Sequence, residues 1–153
     1  MAEQTMINLQ APAFELEASN GQKIRLDDMR GSYVVLIFYP MNDTPICNRQ
    51  LDAMNVNLDA FINSNCRVFG VNTASKEKQR SYCERRRLQF PILSDAGAFV
   101  AKQYGTFNKY FPFAQKRTVV AIDPDGTICF YERGNPEPDK VLDIIRSRAT
   151  QAP

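Results

Sequence analysis

Apolar and polar positions change period several times along this chain, and each change marks an element. Phe14–Glu17 and Lys23–Leu26 flank the turn triplet Ser19-Asn20-Gly21 and predict a small hairpin. Tyr33–Tyr39 (YVVLIFY) is β-branched, aromatic and free of charge, which predicts a central strand buried on both faces. The period then switches. Leu51, Met54, Leu58, Phe61 and Ile62 recur at helical spacing and predict a helix from about Pro45 to Ser64. Arg67–Val71 reads as a second strand. Ser75 is placed to cap a helix running to about Arg87, and a short strand follows at Phe90–Leu93. Asp95 caps a further short helix that ends before Gly105, whereas Asn108–Lys116 holds aromatics without a period and reads as a loop. Thr118–Ile122 and Thr127–Tyr131 are strands joined by the turn sequence Asp123-Pro124-Asp125-Gly126. Asp139–Arg148 closes the chain as a helix with Val141, Leu142, Ile144 and Ile145 on its inner side.

Strands alternating with helices, followed by an antiparallel end, give an α/β sandwich with a mixed sheet. The order is similar to a thioredoxin-like three-layer arrangement preceded by an N-terminal hairpin. A length of 153 residues, with no repeat and no linker, suits a single domain over 1–153.

Composition narrows the function by exclusion. The 19 Lys and Arg against 17 Asp and Glu leave a net charge of only +2, which argues against nucleic acid as a partner. The basic run Arg85-Arg86-Arg87 reads as the solvated face of a helix rather than a phosphate-binding patch. The opening residues lack a basic segment followed by an apolar one, and no stretch is long enough to span a membrane. The expectation is a cytoplasmic protein with no membrane association. Its four cysteines are then reactive or buried thiols rather than a disulfide framework. There is no histidine, so Ser-His-Asp and Cys-His pairs and His-containing zinc sites are excluded. The cysteines stand at 47, 66, 83 and 129, so no Cys-x-x-Cys pair exists.

The candidate site lies just beyond the carboxyl end of the central strand, where α/β sheets carry their chemistry. In Pro40-Met41-Asn42-Asp43-Thr44-Pro45-Ile46-Cys47, Thr44 is a good N-cap and Pro45 suits the first helical position. Cys47 falls at the third position, where unpaired N–H groups and the positive helix end favour a thiolate, the nucleophilic form of the residue. Helix position alone leaves two readings open, a reactive thiolate and a cysteine that merely packs.

Pro40-x-x-x-Thr44-x-x-Cys47 resembles the active-site motif of peroxiredoxins. VVLIFYP before it, Asp43-Thr44-Pro45 within it and FPILSD at 90–95 resemble the bacterioferritin comigratory protein, or peroxiredoxin Q, branch. Arg117 with the strand after it is similar to that family's arginine, and the likeness runs from Phe14 to about Ile145. The resemblance implies a thiol-dependent peroxidase that reduces hydrogen peroxide and organic hydroperoxides without metal or cofactor. Cys47 becomes the attacking sulfur and passes to a sulfenic acid. Thr44 orients the peroxide, Arg117 stabilises thiolate and peroxide oxygens, Pro40 shields the sulfur, and the Cys47 N–H completes the donors. Thr44 as a plain cap, Arg117 as an exposed strand-end charge and Pro40 as a strand terminator are the plainer readings.

The chain departs from the branch in two places. Asp52 stands where many members carry a second cysteine, and Gln50 where a glutamate commonly pairs with the arginine. Gln50 still accepts a hydrogen bond but leaves Arg117 less firmly held. Cys66 and Cys129 read as core fillers. The branch sometimes places its resolving cysteine on the helix that here carries Cys83, which implies an intramolecular Cys47–Cys83 disulfide reduced by thioredoxin or a similar thiol. A one-cysteine peroxidase, a redox sensor or adaptor, and a silent binding module are the alternatives. The lack of a long C-terminal extension and the habit of the branch imply a monomer.

Overall fold

The apolar run that begins at Tyr33 forms an interior strand of the sheet, paired on both sides. The computed structural model describes residues 5–110 and 115–151, so Phe111–Ala114 of the expected loop lie outside the described residues. Strands β1 (Glu15–Ala18), β2 (Lys23–Arg25), β3 (Tyr33–Phe38), β4 (Cys66–Asn72), β5 (Ile92–Ser94), β6 (Thr118–Ile122) and β7 (Ile128–Arg133) form one sheet. Their order is β2-β1-β5-β4-β3-β6-β7. β3, β4 and β5 are parallel, and β6 joins β3 antiparallel, as do β7 on β6 and the β1–β2 hairpin on β5. This is the mixed sheet of a thioredoxin-like fold.

Alternation along β3 feeds two cores. Tyr33, Val35, Ile37 and Tyr39 point to one face and Val34, Leu36 and Phe38 to the other, all buried. The first face is covered by helices α1 (Pro45–Val56), α2 (Leu58–Asn63), α3 (Lys76–Arg86) and α5 (Pro138–Gln151), through residues such as Leu51, Phe61, Tyr82 and Ile145. The second is covered by α4 (Phe99–Gln103), a 3₁₀ turn at Leu26–Met29 and the segment bearing Ala11 and Phe14.

Several boundaries differ from the sequence reading. The single helix expected over 45–64 is two, broken at Asn57, whose φ of −95° and ψ of 4° leave the helical region. Its side-chain amide donates to the Ala53 carbonyl at 2.7 Å, a local bond that competes with the helix ladder. Ile62 and Ile144 are 56% and 37% exposed rather than inward, because neither lies on the stripe its helix presents to the sheet. Asp95 caps α4 from a distance. Ala98 holds the cap position in left-handed backbone, while the Asp95 carboxylate accepts from Val100 and Ala101 N–H at 3.1 and 2.8 Å.

Candidate active site

Antiparallel pairing of β6 on β3 brings Phe38 opposite Thr118, so Arg117 emerges beside the loop that leaves the end of β3. That loop runs from Pro40 to Thr44 and enters α1. Thr44 caps the helix: its hydroxyl oxygen accepts the Cys47 N–H at 3.4 Å, and Pro45 occupies the first position. Cys47 thus sits in the first turn, as expected, 1% exposed and packed with Leu51 and Met54. The expectation of a free Cys47 N–H is corrected here. That group is given to the cap, and the next, from Asn48, goes to the Thr44 carbonyl at 2.8 Å.

Arg117 meets the sulfur. Its Nη2 donates to Cys47 Sγ at 3.2 Å, and its Nη1 donates to Gln50 Oε1 at 2.6 Å. One guanidinium therefore faces the thiol and is fixed by an amide one turn along the same helix. Gln50 is 4% exposed and accepts from Arg117 as expected, through a neutral amide that leaves the guanidinium charge unneutralised. The reading of Arg117 as an exposed strand-end charge falls with the same geometry. Pro40 is half-buried at the end of the strand.

Cys83 lies on α3 with its thiol at Ser19. Its thiol donates to Ser19 Oγ at 3.4 Å, and Ser19 Oγ also accepts the Ile92 N–H at 3.0 Å. The side chain packs at the edge of the apolar cluster that contains Cys47, and its outer side borders a groove of about 630 Å³ with Arg80, Glu84 and Arg87. Burial holds the Cys83 thiol above its ordinary titration range. Cys66 and Cys129 are buried in the core and pushed up to about 12 and about 11 by loss of hydration, in keeping with filler thiols. All four cysteines are unpaired.

A polar array behind the loop escaped the sequence reading. The Tyr39 hydroxyl donates to Asn42 Oδ1 at 2.6 Å, and the Asn42 amide donates to Gln79 Oε1 at 3.0 Å. Asn72 donates to Asn42 Oδ1 at 3.0 Å and accepts from Gln79 Nε2. The Tyr82 hydroxyl donates to Asn48 Oδ1. Gln79 and Asn72 are 0% and 1% exposed, so the loop is held by satisfied, water-excluded bonds. The one signal in sequence was the spacing of Gln79, Tyr82 and Arg86 along a helix otherwise polar all round. The basic run is also more than a solvated face. Arg85 pairs with Asp43 at 2.7 Å, Arg86 pairs with Asp52, and Arg87 ends the helix in left-handed backbone at φ 54°.

The chain matches the AhpC/TSA family over residues 7–131. It belongs to that family. The bcp peroxiredoxin of Coxiella burnetii is 31% identical over 127 residues, 80% of this chain and 84% of the relative. Chloroplastic peroxiredoxin Q of Sedum lineare is 28% identical over 132 residues, 86% of this chain and 71% of the relative. The chain spans less of some other plant peroxiredoxins Q, 61% in Gentiana triflora. Among solved structures, peroxidoxin BcpB of Mycobacterium tuberculosis superposes with a TM-score of 0.86 at 28% identity, covering 94% of this chain and 98% of that one. Among the described residues of the present family member, no helix is long and apolar enough to cross a membrane and no cluster of His, Cys, Asp and Glu is fit to hold a metal.

Proposed function

We infer that this family member is a thiol-dependent peroxidase in which Cys47 reduces hydroperoxides. The observation that carries the reading is the Arg117 guanidinium at 3.2 Å from Cys47 Sγ, fixed in turn by Gln50. A cation held against the sulfur faces the charge of the attacking thiolate and stays in position as negative charge develops on the peroxide oxygens. The thiolate attacks the terminal peroxide oxygen. A sulfur–oxygen bond forms, the oxygen–oxygen bond breaks, and the departing alkoxide or hydroxide takes a proton to leave as alcohol or water. Thr44 accepts the Cys47 N–H with its oxygen and keeps its O–H proton to donate to the peroxide, so capping and orienting are compatible roles. Pro40 limits water at the sulfur from the strand side.

Cys83 resolves the sulfenic acid. Its thiol displaces hydroxide from Cys47, a disulfide forms and water leaves; thioredoxin or a similar dithiol then reduces the disulfide. Membership of both thiols in one apolar cluster supports the pairing, as does the groove beside Cys83 that offers a reductant access. Both residues begin in regular helices, so local opening of α1 and α3 precedes the bond. The enzyme acts as a cytoplasmic monomer.

Peroxide consumption with a thioredoxin system tests the assignment. Cys47→Ser is expected to abolish sulfenic acid and turnover. Cys83→Ser is expected to retain the first oxidation and lose turnover, with a Cys47–Cys83 peptide mapped in oxidised wild type. Wild-type rates in Cys47→Ser would overturn the central assignment, and full turnover in Cys83→Ser would return the protein to a one-cysteine mechanism.

A further inference from the structure

The segment that carries Cys47 and the helix that carries Cys83 face each other through a graded series of ties. Nearest the sheet are the buried bonds of Gln79 to Asn42 and of Tyr82 to Asn48. Gln79, Tyr82 and Arg86 follow at i, i+3 and i+7 and so form one stripe of α3 turned toward the loop and α1. At the rim the ties become ionic. Arg85 reaches both Asp43 oxygens, Nη1 to Oδ1 at 3.2 Å and Nη2 to Oδ2 at 2.7 Å, and Arg86 meets Asp52. Past the helix end, the Asn55 amide donates to the Arg87 carbonyl at 3.1 Å and Asn55 Oδ1 accepts the Gln89 N–H at 2.8 Å.

The two kinds of tie respond differently to opening. Buried bonds define the closed state, because an unpaired polar group there is heavily penalised until water enters. The ionic pairs lie nearer the solvent, with Arg85 and Asp43 exposed by 55% and 48% and Asp52 by 46%, while Arg86 is part-buried at 32%. Pairs of that exposure add little to global stability, yet they lie across the direction in which α3 must part from α1. Cys83 itself bonds to Ser19 while the neighbouring Tyr82 bonds to Asn48, so its thiol is engaged with the β1 side while α3 keeps this place.

We propose that Arg85 and Arg86, through Asp43 and Asp52, form an ionic latch that sets how fast Cys83 reaches the Cys47 sulfenic acid. The latch rests on the reading of Cys83 as the resolving thiol. It fixes the partition of the sulfenic acid between two fates. Condensation with the Cys83 thiol gives a disulfide and water, whereas attack on a second hydroperoxide transfers one more oxygen to the sulfur and gives a sulfinic acid, reducing that peroxide to alcohol or water. A tight latch prolongs the closed sulfenic acid and favours the second fate at high peroxide. Asp52 thus takes a regulatory part at the position where many branch members hold a second thiol.

The test compares wild type with Arg85→Ala/Arg86→Ala by rapid quench and mass spectrometry, following Cys47–Cys83 disulfide and Cys47 sulfinic acid over a range of hydrogen peroxide. The double variant is expected to keep the rate of the first oxidation and form the disulfide about fivefold faster, as loss of two exposed pairs implies. The peroxide concentration that half-converts Cys47 to sulfinic acid rises by a like factor. Added salt should speed disulfide formation in wild type and leave the double variant unchanged, since surface ion pairs are screened. A disulfide rate equal in the two proteins and insensitive to salt in wild type would overturn the latch while leaving Cys83 as resolving thiol. Absence of the disulfide peptide from wild type would instead overturn the reading of Cys83, and the latch with it.

Discussion

Arg117 donates to the sulfur of Cys47 from a point 70 residues further along the chain. The contact exists because β6 returns antiparallel beside β3, which sets the residue before Thr118 next to the loop after Phe38. Replacing Arg117 with Ala should lower the second-order rate with hydrogen peroxide by about 100-fold or more, the scale of losing a preorganised donor at a developing charge. Arg117→Lys keeps the charge but loses the fork that binds both Gln50 and the sulfur, and should fall between. Competition against a second peroxidase for limiting peroxide measures these rates; an unaltered rate in Arg117→Ala would remove Arg117 from the chemistry.

Gln50 is predicted to act through Arg117. Gln50→Leu leaves Arg117 Nη1 without its 2.6 Å acceptor in a half-buried place, at a cost of about 1–3 kcal/mol in urea unfolding. The peroxide rate should fall with it. Gln50→Glu retains the acceptor and should recover most of the stability.

Thr44 has a cap role and a proposed substrate role, and two substitutions separate them. Thr44→Val removes the acceptor for the Cys47 N–H and should destabilise by about 1 kcal/mol, with a far larger loss in peroxide rate than that figure alone gives. Thr44→Ser keeps both oxygen and proton and should restore both quantities. A Val variant with only a stability defect would reduce Thr44 to a cap.

Alkaline stability should be set by the buried thiols. Cys66 and Cys129 titrate near 12 and 11 when folded, against an ordinary 9.0, because burial disfavours the thiolate. A folded value raised above the unfolded one means the folded state holds the proton longer. The contribution is fully present below about pH 9 and is lost as pH rises through the folded values. Urea midpoints should therefore decline above about pH 9, and Cys66→Ala should flatten the decline; an unchanged slope in that variant would count against the thiol as its source.

The Asp43–Arg85 pair should weaken at the acid end. Arg85 bonds to the Asp43 carboxylate and holds it below its ordinary range, so the tie persists until the solution is more acidic than that range and then fails as the carboxyl takes up its proton. Asp43→Asn at neutral pH should reproduce that loss of the pair and speed disulfide formation, and carboxyl titration by NMR gives the direction directly.

Local chemistry was legible in the sequence. The uninterrupted apolar run of β3, the Thr44 cap with Pro45 behind it, the resulting first-turn place of Cys47 and the Asp-Pro-Asp-Gly hairpin depend on neighbours within a few residues, and each appears in the structure at or within two residues of its expected position. The break at Asn57 was hidden because an apolar period of 3.6 continues through it, while one side-chain bond to Ala53 ends the helix. The outward turn of Ile62 and Ile144 was likewise invisible, since helical spacing shows which residues share a stripe but not where the sheet will lie.

Residues close together in the chain settle the reactive groups and their local conformations: a cysteine at a capped helix start, no histidine or Cys-x-x-Cys to compete with it, and a buried central strand to carry it. The surroundings of that cysteine depend on long-range packing. Arg117 arrives through the order of strands, Gln50 through the face of α1 turned inward, and Asn42, Gln79, Tyr82, Arg85 and Arg86 through the packing of α3 on the loop. The physical reason is range. Helix caps and strand periods are settled between residues close in the chain, whereas hydrogen bonds and ion pairs between distant segments form only after the burial of both faces of the sheet has fixed which segments lie side by side.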